Sequence, residues 1–175
     1  MHPSSMENMR KARKYMKNLG KDLIVLDVGG RSLDIKVKNR SYQEIFEDVA
    51  KDFYIADICD GPGVTHVMPG PYTLPFNNDS IDLVVSGQTL EHVKNPFRSV
   101  AEMFRVLKPG GYIALIAPSA GPKHDNPDCW RIMDDGFKAI AEEVGIAVIA
   151  DWVDRSAPDD RSRKWQDHVF VGYKE

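Results

Sequence analysis

A short, uninterrupted apolar run at residues 23–28 constrains the fold most, because it ends directly in the glycine pair Gly29 and Gly30. A strand whose apolar residues do not alternate with polar ones is buried on both faces, as in the interior of a parallel sheet. Similar runs follow along the chain, separated by stretches of helical periodicity, and lie at residues 53–58, 65–68, 81–86, 112–117, 146–153 and 167–173. This alternation predicts a parallel α/β sheet joined by right-handed crossovers.

Helices are predicted in three of the intervening stretches. Residues 41–51 begin with the spacing of a capping box and carry apolar side chains on one side. A second helix begins at Pro96, which suits the first helical position, and a third covers residues 134–144 and is closed by Gly145. The charged residues 155–164 are predicted as a flexible stretch.

Residues 1–20 are predicted to form a separate amphipathic helix that docks on a single domain spanning residues 21–175. Its apolar positions recur near helical spacing and are Met6, Met9, Met16 and Leu19. Its basic positions fill the other faces and are Arg10, Lys11, Arg13, Lys14 and Lys17. The alternative to a docking helix is a basic patch for nucleic acid or anionic lipid. A length of 175 residues leaves no room for a second large domain.

Charge and composition narrow the class of protein. A net charge of −3 argues against a dedicated nucleic-acid binder, which is usually strongly basic. No apolar run has the roughly 18–20 residues of a membrane helix, and the N-terminus lacks the apolar stretch of a secretory signal. Cys59 and Cys129 give neither a disulfide framework nor a CxxC pair. We therefore expect a cytoplasmic protein without a membrane span.

The residues just after the strands carry the functional information, because open α/β sheets bind ligands beyond the carboxyl ends of their strands. Gly29 and Gly30 after the first strand would let a ligand approach the backbone, although any tight turn could use them. Asp57 after the second strand can accept hydrogen bonds from both hydroxyls of a ribose. The alternative for Asp57 is a solvated acid that opens a loop.

Four segments in order resemble the class I S-adenosylmethionine-dependent methyltransferases, and more narrowly the methyltransferase type 11 group. They are VLDVG at 25–29, LPFNNDSID at 74–82, LEHV at 90–93 and RVLKPGG at 105–111. Each segment alone is weak, but their order and spacing span residues 23–117. Residues 117–131 also resemble small bacterial methyltransferases of this group, some of which are associated with glycan biosynthesis.

The resemblance implies a Rossmann-like fold: a mostly parallel seven-stranded sheet, helices on both faces and an antiparallel C-terminal strand. It implies S-adenosylmethionine as the cofactor, with the glycine turn against its methionine part, Asp57 on the ribose and Ile58 against the adenine. Asp27 would order the turn, and residues 86–88 would form the floor near the sulfonium. The implied cofactor-binding residues are Asp27, Gly29, Gly30, Arg31, Asp57, Ile58, Pro71, Tyr72, Ser86, Gly87 and Gln88. Residues 108–111 are expected to be a structural turn.

The sequence departs from the family pattern at two places. Arg31 and Leu33 stand where the family usually has glycines, and Arg31 could reach the cofactor carboxylate. Gly70 stands where an acid often meets the adenine amino group, so backbone groups near Pro71 and Tyr72 would substitute. Each loss is expected to weaken cofactor binding about tenfold, at ~1–1.5 kcal/mol per hydrogen bond.

Two histidines are candidate catalytic residues, since an acceptor hydroxyl has to lose a proton during methyl transfer. His92 follows the fourth strand, and His124 lies in the loop after the fifth, with Asp125 available to orient its imidazole. Either could instead be an ordinary hydrogen-bonded loop histidine. The spacing of these residues and Glu91 does not support a metal site, so none is predicted.

The predicted function is an S-adenosylmethionine-dependent methyltransferase that acts on a small-molecule or glycan acceptor. The alternative is a non-catalytic, degenerate module of the same fold that binds the cofactor or a protein partner. A nicotinamide-dependent oxidoreductase is disfavoured, because no GxGxxG follows the first strand. The short chain leaves little material for an acceptor-binding insert, so we expect either a small acceptor or a homo-oligomer whose second subunit closes the site.

Overall fold

The computed structural model describes residues 3–32, 41–156 and 164–175. Its strands are β1 Leu23–Val28, β2 Ala50–Asp57, β3 His66–Val67, β4 Ile81–Gly87, β5 Leu107–Pro118, β6 Ala147–Val153 and β7 Asp167–Tyr173. Its helices are α1 Pro3–Arg13, α2 Gln43–Phe46, α3 Pro96–Val106 and α4 Gly136–Val144, with a 3₁₀ turn, η1, at Leu90–His92. Leu33 and residues 157–163 of the predicted flexible stretch lie outside the described residues.

The strands form one sheet in the order β3-β2-β1-β4-β5-β7-β6. The pairs from β3 to β5 are parallel, whereas β7 runs antiparallel to both β5 and β6. The direction of the strand order reverses between β1 and β4, so the carboxyl ends of these two strands form the position where ligands bind in such sheets. The predicted fold class is confirmed.

Each face of the sheet carries its own apolar core. Successive residues of β1 and β4 point to opposite faces, so Leu26 and Val84 enter one core and Val25 and Leu83 the other. Side chains of α3 and α4 complete the first core, and side chains of α1 and α2 complete the second. The central strands are therefore buried on both sides, which explains their uninterrupted apolar runs.

The N-terminal helix packs against β5 and β7. Met6, Met9 and Ala12 are buried in the second core, as is Met16 after the helix. The basic side chain of Arg13 pairs with Asp48, with 2.6 Å between Nη2 and Oδ2. Of the helices in the described ranges, none is long and apolar enough to cross a membrane.

Two segments differ from their predicted structure. The helix predicted over residues 41–51 is a single turn, α2, because β2 begins at Ala50 and Leu23 already donates a backbone hydrogen bond to Val49. Residues 108–111, predicted as a turn, belong to β5. The backbone of Lys174 extends the ladder there, since its N–H bonds the carbonyl of Gly111 and its carbonyl accepts from Gly110.

Candidate active site

The turn after β1 is shaped by two close contacts. Gly29 has φ 79°, a left-handed conformation that favours glycine, and a Cβ there would overlap the side chain of Thr89. A Cβ on Gly30 would lie 2.5 Å from Oδ2 of Asp27. The backbone at this position therefore lies directly against the carboxylate.

Asp27 is buried at the carboxyl end of β1 and is 1% exposed. Burial, reinforced by the negative charge of Asp57, raises its pKa from the ordinary 3.8 to about 8. Neither carboxylate oxygen has a hydrogen-bond partner within the described part of the chain. Because buried polar groups are normally paired, Asp27 marks a position where donors are expected to arrive with a ligand.

Asp57 ends β2 beside this turn. Its Oδ1 accepts a hydrogen bond from the backbone N–H of Cys59 at 3.0 Å and lies 3.6 Å from Nε of Arg31. The structure thus places Arg31 beside Asp57, and Arg31 also packs against Gly61. The neighbouring Ile58 is 50% exposed, which leaves its apolar side chain available to a ligand.

The segment after β3 turns back at Gly70, which bridges to Thr73. Pro71 is exposed, and the Tyr72 ring is stacked under the guanidinium of Arg98, whose carbon lies 4.6 Å from the ring centre. Since the Tyr72 side chain is engaged by α3, what this turn can offer a ligand is its backbone groups.

The end of β4 lies next to the turn after β1. The Ser86 hydroxyl donates a 2.7 Å hydrogen bond to the carbonyl of Val28 and so ties the two strands together. Gly87 lies directly beneath Tyr42, because a Cβ at this position would overlap the Tyr42 hydroxyl. That hydroxyl in turn lies 2.6 Å from Oγ of Ser5 in α1. Tyr42 and α1 therefore form a roof over the end of β4.

Gln88 follows with φ 57° and joins the same roof. Its Nε2 donates a 2.9 Å hydrogen bond to Oδ1 of Asp167, and Nδ2 of Asn8 donates to Oδ2 of Asp167 at 3.3 Å.

Four residues of this roof were not identified from the sequence, namely Ser5, Asn8, Tyr42 and Asp167. A signal was present in α1, because Ser5 and Asn8 share the helix face of Met9 and Ala12 and are buried with them.

The two candidate catalytic histidines lie together. The His92 and His124 rings are in contact, with centres 5.1 Å apart. Nδ1 of His92 is 2.6 Å from the carbonyl oxygen of Pro127, and its Nε2 is 3.7 Å from Oε1 of Glu91. Within the described residues, ligand atoms of Glu91, His92 and His124 all lie within 4.8 Å of one another. The sequence spacing gave no reason to expect this cluster.

Asp128 is the acid that holds His124. Its Oδ2 accepts the backbone N–H of His124 at 2.8 Å and lies 3.4 Å from Nδ1 of the imidazole. Asp125, predicted for this role, is 4.0 Å away at Nε2 and largely exposed. The hydrogen bond from Arg131, at 2.6 Å, holds the pKa of the Asp128 carboxyl well below its usual range.

The sheet has an acid and a glycine turn at its switch point and a second acid at the end of the neighbouring strand. This arrangement is typical of α/β proteins that bind a nucleotide-type cofactor. A family model described as a methyltransferase domain matches residues 11–115, and a second with the same description matches residues 72–166. Since the first covers more than half of the chain, the chain belongs to this methyltransferase family.

Curated relatives match shorter stretches. The biotin biosynthesis bifunctional protein BioHC of Teredinibacter turnerae is 30% identical over 89 residues, which is 45% of this chain and 16% of that protein. An uncharacterized methyltransferase of Schizosaccharomyces pombe is 28% identical over 122 residues, 57% of this chain and 44% of that protein. The matches thus cover less than half the length of these relatives.

Solved methyltransferases share the fold over nearly the whole chain. The 1,6-didemethyltoxoflavin-N1-methyltransferase of Burkholderia thailandensis, solved with bound 1,6-didemethyltoxoflavin and S-adenosylhomocysteine, superposes with a TM-score of 0.66 at 13% identity. The match covers 98% of this chain and 80% of that one. The predicted family and its cofactor, S-adenosylmethionine, are confirmed.

Proposed function

We propose that this protein transfers the methyl group of S-adenosylmethionine to a small-molecule or glycan acceptor. The observation that carries the proposal is the pair of acids Asp27 and Asp57, set beside the glycine turn at the switch point of the sheet. Asp27 is buried without a hydrogen-bond partner among the described residues. A donor-rich, cationic cofactor supplies what this position lacks.

Each cofactor-binding residue has a proposed role that follows from its position. The backbone of Gly29 and Gly30 would lie against the methionine part, and Asp57 would accept from the ribose hydroxyls while Ile58 covers the adenine. Arg31 would assist the ribose side through Asp57, since it lies 3.6 Å from that carboxylate. Backbone groups of the remaining loops would complete the site, at Pro71 and Tyr72 for the adenine and at Ser86, Gly87 and Gln88 near the sulfonium.

Methyl transfer is an in-line displacement in which the acceptor forms a bond to the methyl carbon as the carbon–sulfur bond breaks. The electron pair of that bond goes to sulfur and leaves the neutral thioether of S-adenosylhomocysteine. The protein's main task is positioning, which can lower the barrier by ~7–11 kcal/mol. For a hydroxyl acceptor, His92 or His124 would receive the acceptor proton or hold the acceptor, adding about 10²–10⁴-fold.

The roof made by Tyr42 and α1 covers the end of β4, next to the proposed position of the sulfonium. Ser5 and Tyr42 hydrogen-bond over Gly87, and Gln88 and Asn8 hydrogen-bond to Asp167. Because Ser5, Asn8 and Tyr42 are buried and hydrogen-bonded within the protein, they would limit the size of the acceptor rather than bind it. The solved Burkholderia thailandensis relative acts on a small molecule, which supports the same class here. A cytoplasmic, homo-oligomeric enzyme fits this function.

Titration calorimetry with S-adenosylhomocysteine tests the cofactor assignment. We expect the wild-type chain to bind it and Asp57→Ala to bind at least about tenfold more weakly, a loss of about 1.4 kcal/mol. Glu142→Ala, which removes an exposed acid on α4, is the matched control and should bind as the wild type does. Equal affinity for Asp57→Ala would refute the ribose assignment, and no binding by the wild type would refute the proposed function.

Turnover separates an enzyme from a non-catalytic module. S-adenosylhomocysteine release is measured with a panel of small hydroxyl, amine and carboxylate compounds and nucleotide sugars. We expect stimulation by at least one class of acceptor, and a loss of turnover in His124→Ala with cofactor affinity retained. Cofactor binding without turnover across the panel would favour the module, and full turnover in His124→Ala would remove this residue from the mechanism.

A further inference from the structure

A cluster of three potential metal ligands lies beside the proposed acceptor site. Glu91 and His92 come from η1 after β4, and His124 comes from the loop after β5. One ligand atom from each residue lies within 4.8 Å of the other two. The loop is fastened to η1 by hydrogen bonds from the backbone N–H groups of Cys129 and Trp130 to the carbonyl of Glu91.

Glu91 is the residue that points to a ligand. It is 0% exposed, and neither of its carboxylate oxygens has a hydrogen-bond partner in the described residues. Nε2 of the His92 imidazole lies 3.7 Å from Oε1, beyond hydrogen-bond distance. A buried carboxylate without hydrogen bonds is rare in native proteins, since burial of an unpaired charge is costly.

The tautomer of His92 also points to a bound cation. Nδ1 lies 2.6 Å from the carbonyl oxygen of Pro127, and a carbonyl can only accept, so Nδ1 carries the proton. In the neutral imidazole, Nε2 then presents a lone pair towards the Glu91 carboxylate. When Glu91 is ionised, two acceptors therefore face each other at 3.7 Å, and a cation between them would satisfy both.

The contact between His92 and Pro127 has the pattern found around bound metals, and His124 is held in place by neighbouring charged side chains. Histidine ligands usually donate their second ring N–H to a carbonyl or a carboxylate, which fixes the ring orientation. His92 has such a partner in Pro127, whereas Nδ1 of His124 lies 3.4 Å from Oδ2 of Asp128 and 3.5 Å from Nη2 of Arg131, which can only donate. Asp128 is itself held by the hydrogen bonds from Arg131. Both imidazoles are thus oriented by neighbours outside the cluster.

We propose that Glu91, His92 and His124 form a binding site for a divalent transition-metal ion of the Zn²⁺ class. Two imidazoles and one carboxylate suit such ions, and three protein ligands leave a fourth position open. Ligands about 2.1 Å from a tetrahedral ion are about 3.4 Å apart, so the 3.7 Å pair needs little adjustment. His124 lies on a loop, and its ligand atom, within 4.8 Å of the other two, has to move inward.

The role of this ion rests on the proposed function. Its open position would hold an acceptor oxygen, and the ion would lower the pKa of that hydroxyl so that the proton leaves to solvent. The resulting oxyanion would form the bond to the methyl carbon while the sulfur keeps the electron pair. In this arrangement the two histidines act as ligands, and the acceptor is an oxygen nucleophile.

Metal binding is measured on the tag-free full chain, by Zn²⁺ titration and by metal content after passage over a weak chelating resin. We expect one ion per chain, with Co²⁺ substitution giving a visible ligand-field absorption. Glu91→Gln and His124→Asn should each weaken Zn²⁺ binding at least about tenfold. His66→Asn, which changes an imidazole outside the cluster, should bind as the wild type does.

The outcomes separate this site from the proposed function. Circular dichroism and thermal unfolding report folding, and the half-buried, loop-borne His124→Asn serves as the test if the buried Glu91→Gln does not fold. Absence of stoichiometric Zn²⁺, or equal affinity in His124→Asn and the wild type, would overturn the metal site. Binding of S-adenosylhomocysteine without binding of Zn²⁺ would support the proposed function and refute the metal site. Binding of Zn²⁺ without binding of S-adenosylhomocysteine would support the metal site and refute the proposed function.

Discussion

Replacement of Asp27 by asparagine is expected to stabilise the fold, and increasingly so as the pH rises. The folded state holds a proton on this buried carboxyl up to a pKa of about 8, whereas the unfolded chain releases it near the ordinary 3.8. Between these values the folded state binds more protons, so the free energy of unfolding falls with rising pH. Each pKa unit corresponds to about 1.4 kcal/mol, which gives a loss of about 4 kcal/mol between pH 5 and pH 8.

The Asp27→Asn variant lacks this titrating group, so its free energy of unfolding should not fall in the same way between pH 5 and pH 8. Urea unfolding of the cofactor-free wild type and variant at several pH values between 5 and 8 measures the difference. We expect the advantage of the variant to grow by about 4 kcal/mol across this range. Burial also raises the pKa of Glu91, but that residue is present in both proteins and its contribution cancels.

Parallel pH profiles for the two proteins would refute this reasoning, because they would mean that Asp27 ionises in the folded state as it does in water. A difference in the free energy of unfolding that is the same at every pH would not support the prediction. Such a difference would arise simply because an amide and a carboxylic acid pack differently. Cofactor affinity should move in the opposite direction. The variant is expected to bind S-adenosylhomocysteine more weakly, as when an acid is kept for function at the expense of stability.

Three further substitutions test side-chain packing and backbone conformation by urea unfolding. Gly87→Ala should lower the free energy of unfolding by about 1–3 kcal/mol, because its Cβ overlaps the Tyr42 hydroxyl. Gly70→Ala is the control and should change the free energy of unfolding little, because a Cβ there has nothing within 4 Å. Tyr42→Phe should lose about 1 kcal/mol with the hydrogen bond to Ser5, and an unchanged value would mean that this bond is not formed in solution. Gly145→Ala should lose about 1–2 kcal/mol, since its φ of 86° at the end of α4 disfavours any side chain, and a stabilised variant would contradict the left-handed cap.

The central sheet could be predicted from the sequence, because strands that are buried on both faces have uninterrupted apolar runs. The runs at 23–28 and 81–86 contain no alternation that would suggest a solvent-exposed face, and both became central strands. The cap at Gly145 and the start of a helix at Pro96 were predicted correctly, since both depend on local backbone chemistry. The single turn of α2 could not be predicted, because β1 and β2 pair from Ala50 onward and decide where it stops.

The positions of site residues that directly follow a strand could be predicted from the sequence. Contacts between segments that are distant in the sequence could not. Asp27 and Asp57 follow from the position of strand ends. The roof of Tyr42 over Gly87 requires α1, α2 and β4 to converge, and no local pattern encodes that. The approach of His124 to Glu91 likewise depends on how the loop after β5 folds back over η1.

The position of β7 has a consequence for how the chain is made. β7 is the last strand along the sequence, yet it lies between β5 and β6 and pairs with both. During synthesis from the N-terminus, β6 therefore has no partner in the sheet, and β5 keeps an open edge, until residues 167–173 have left the ribosome. Until then the growing chain presents an unpaired apolar edge at β5, the kind of surface on which other chains can add a strand.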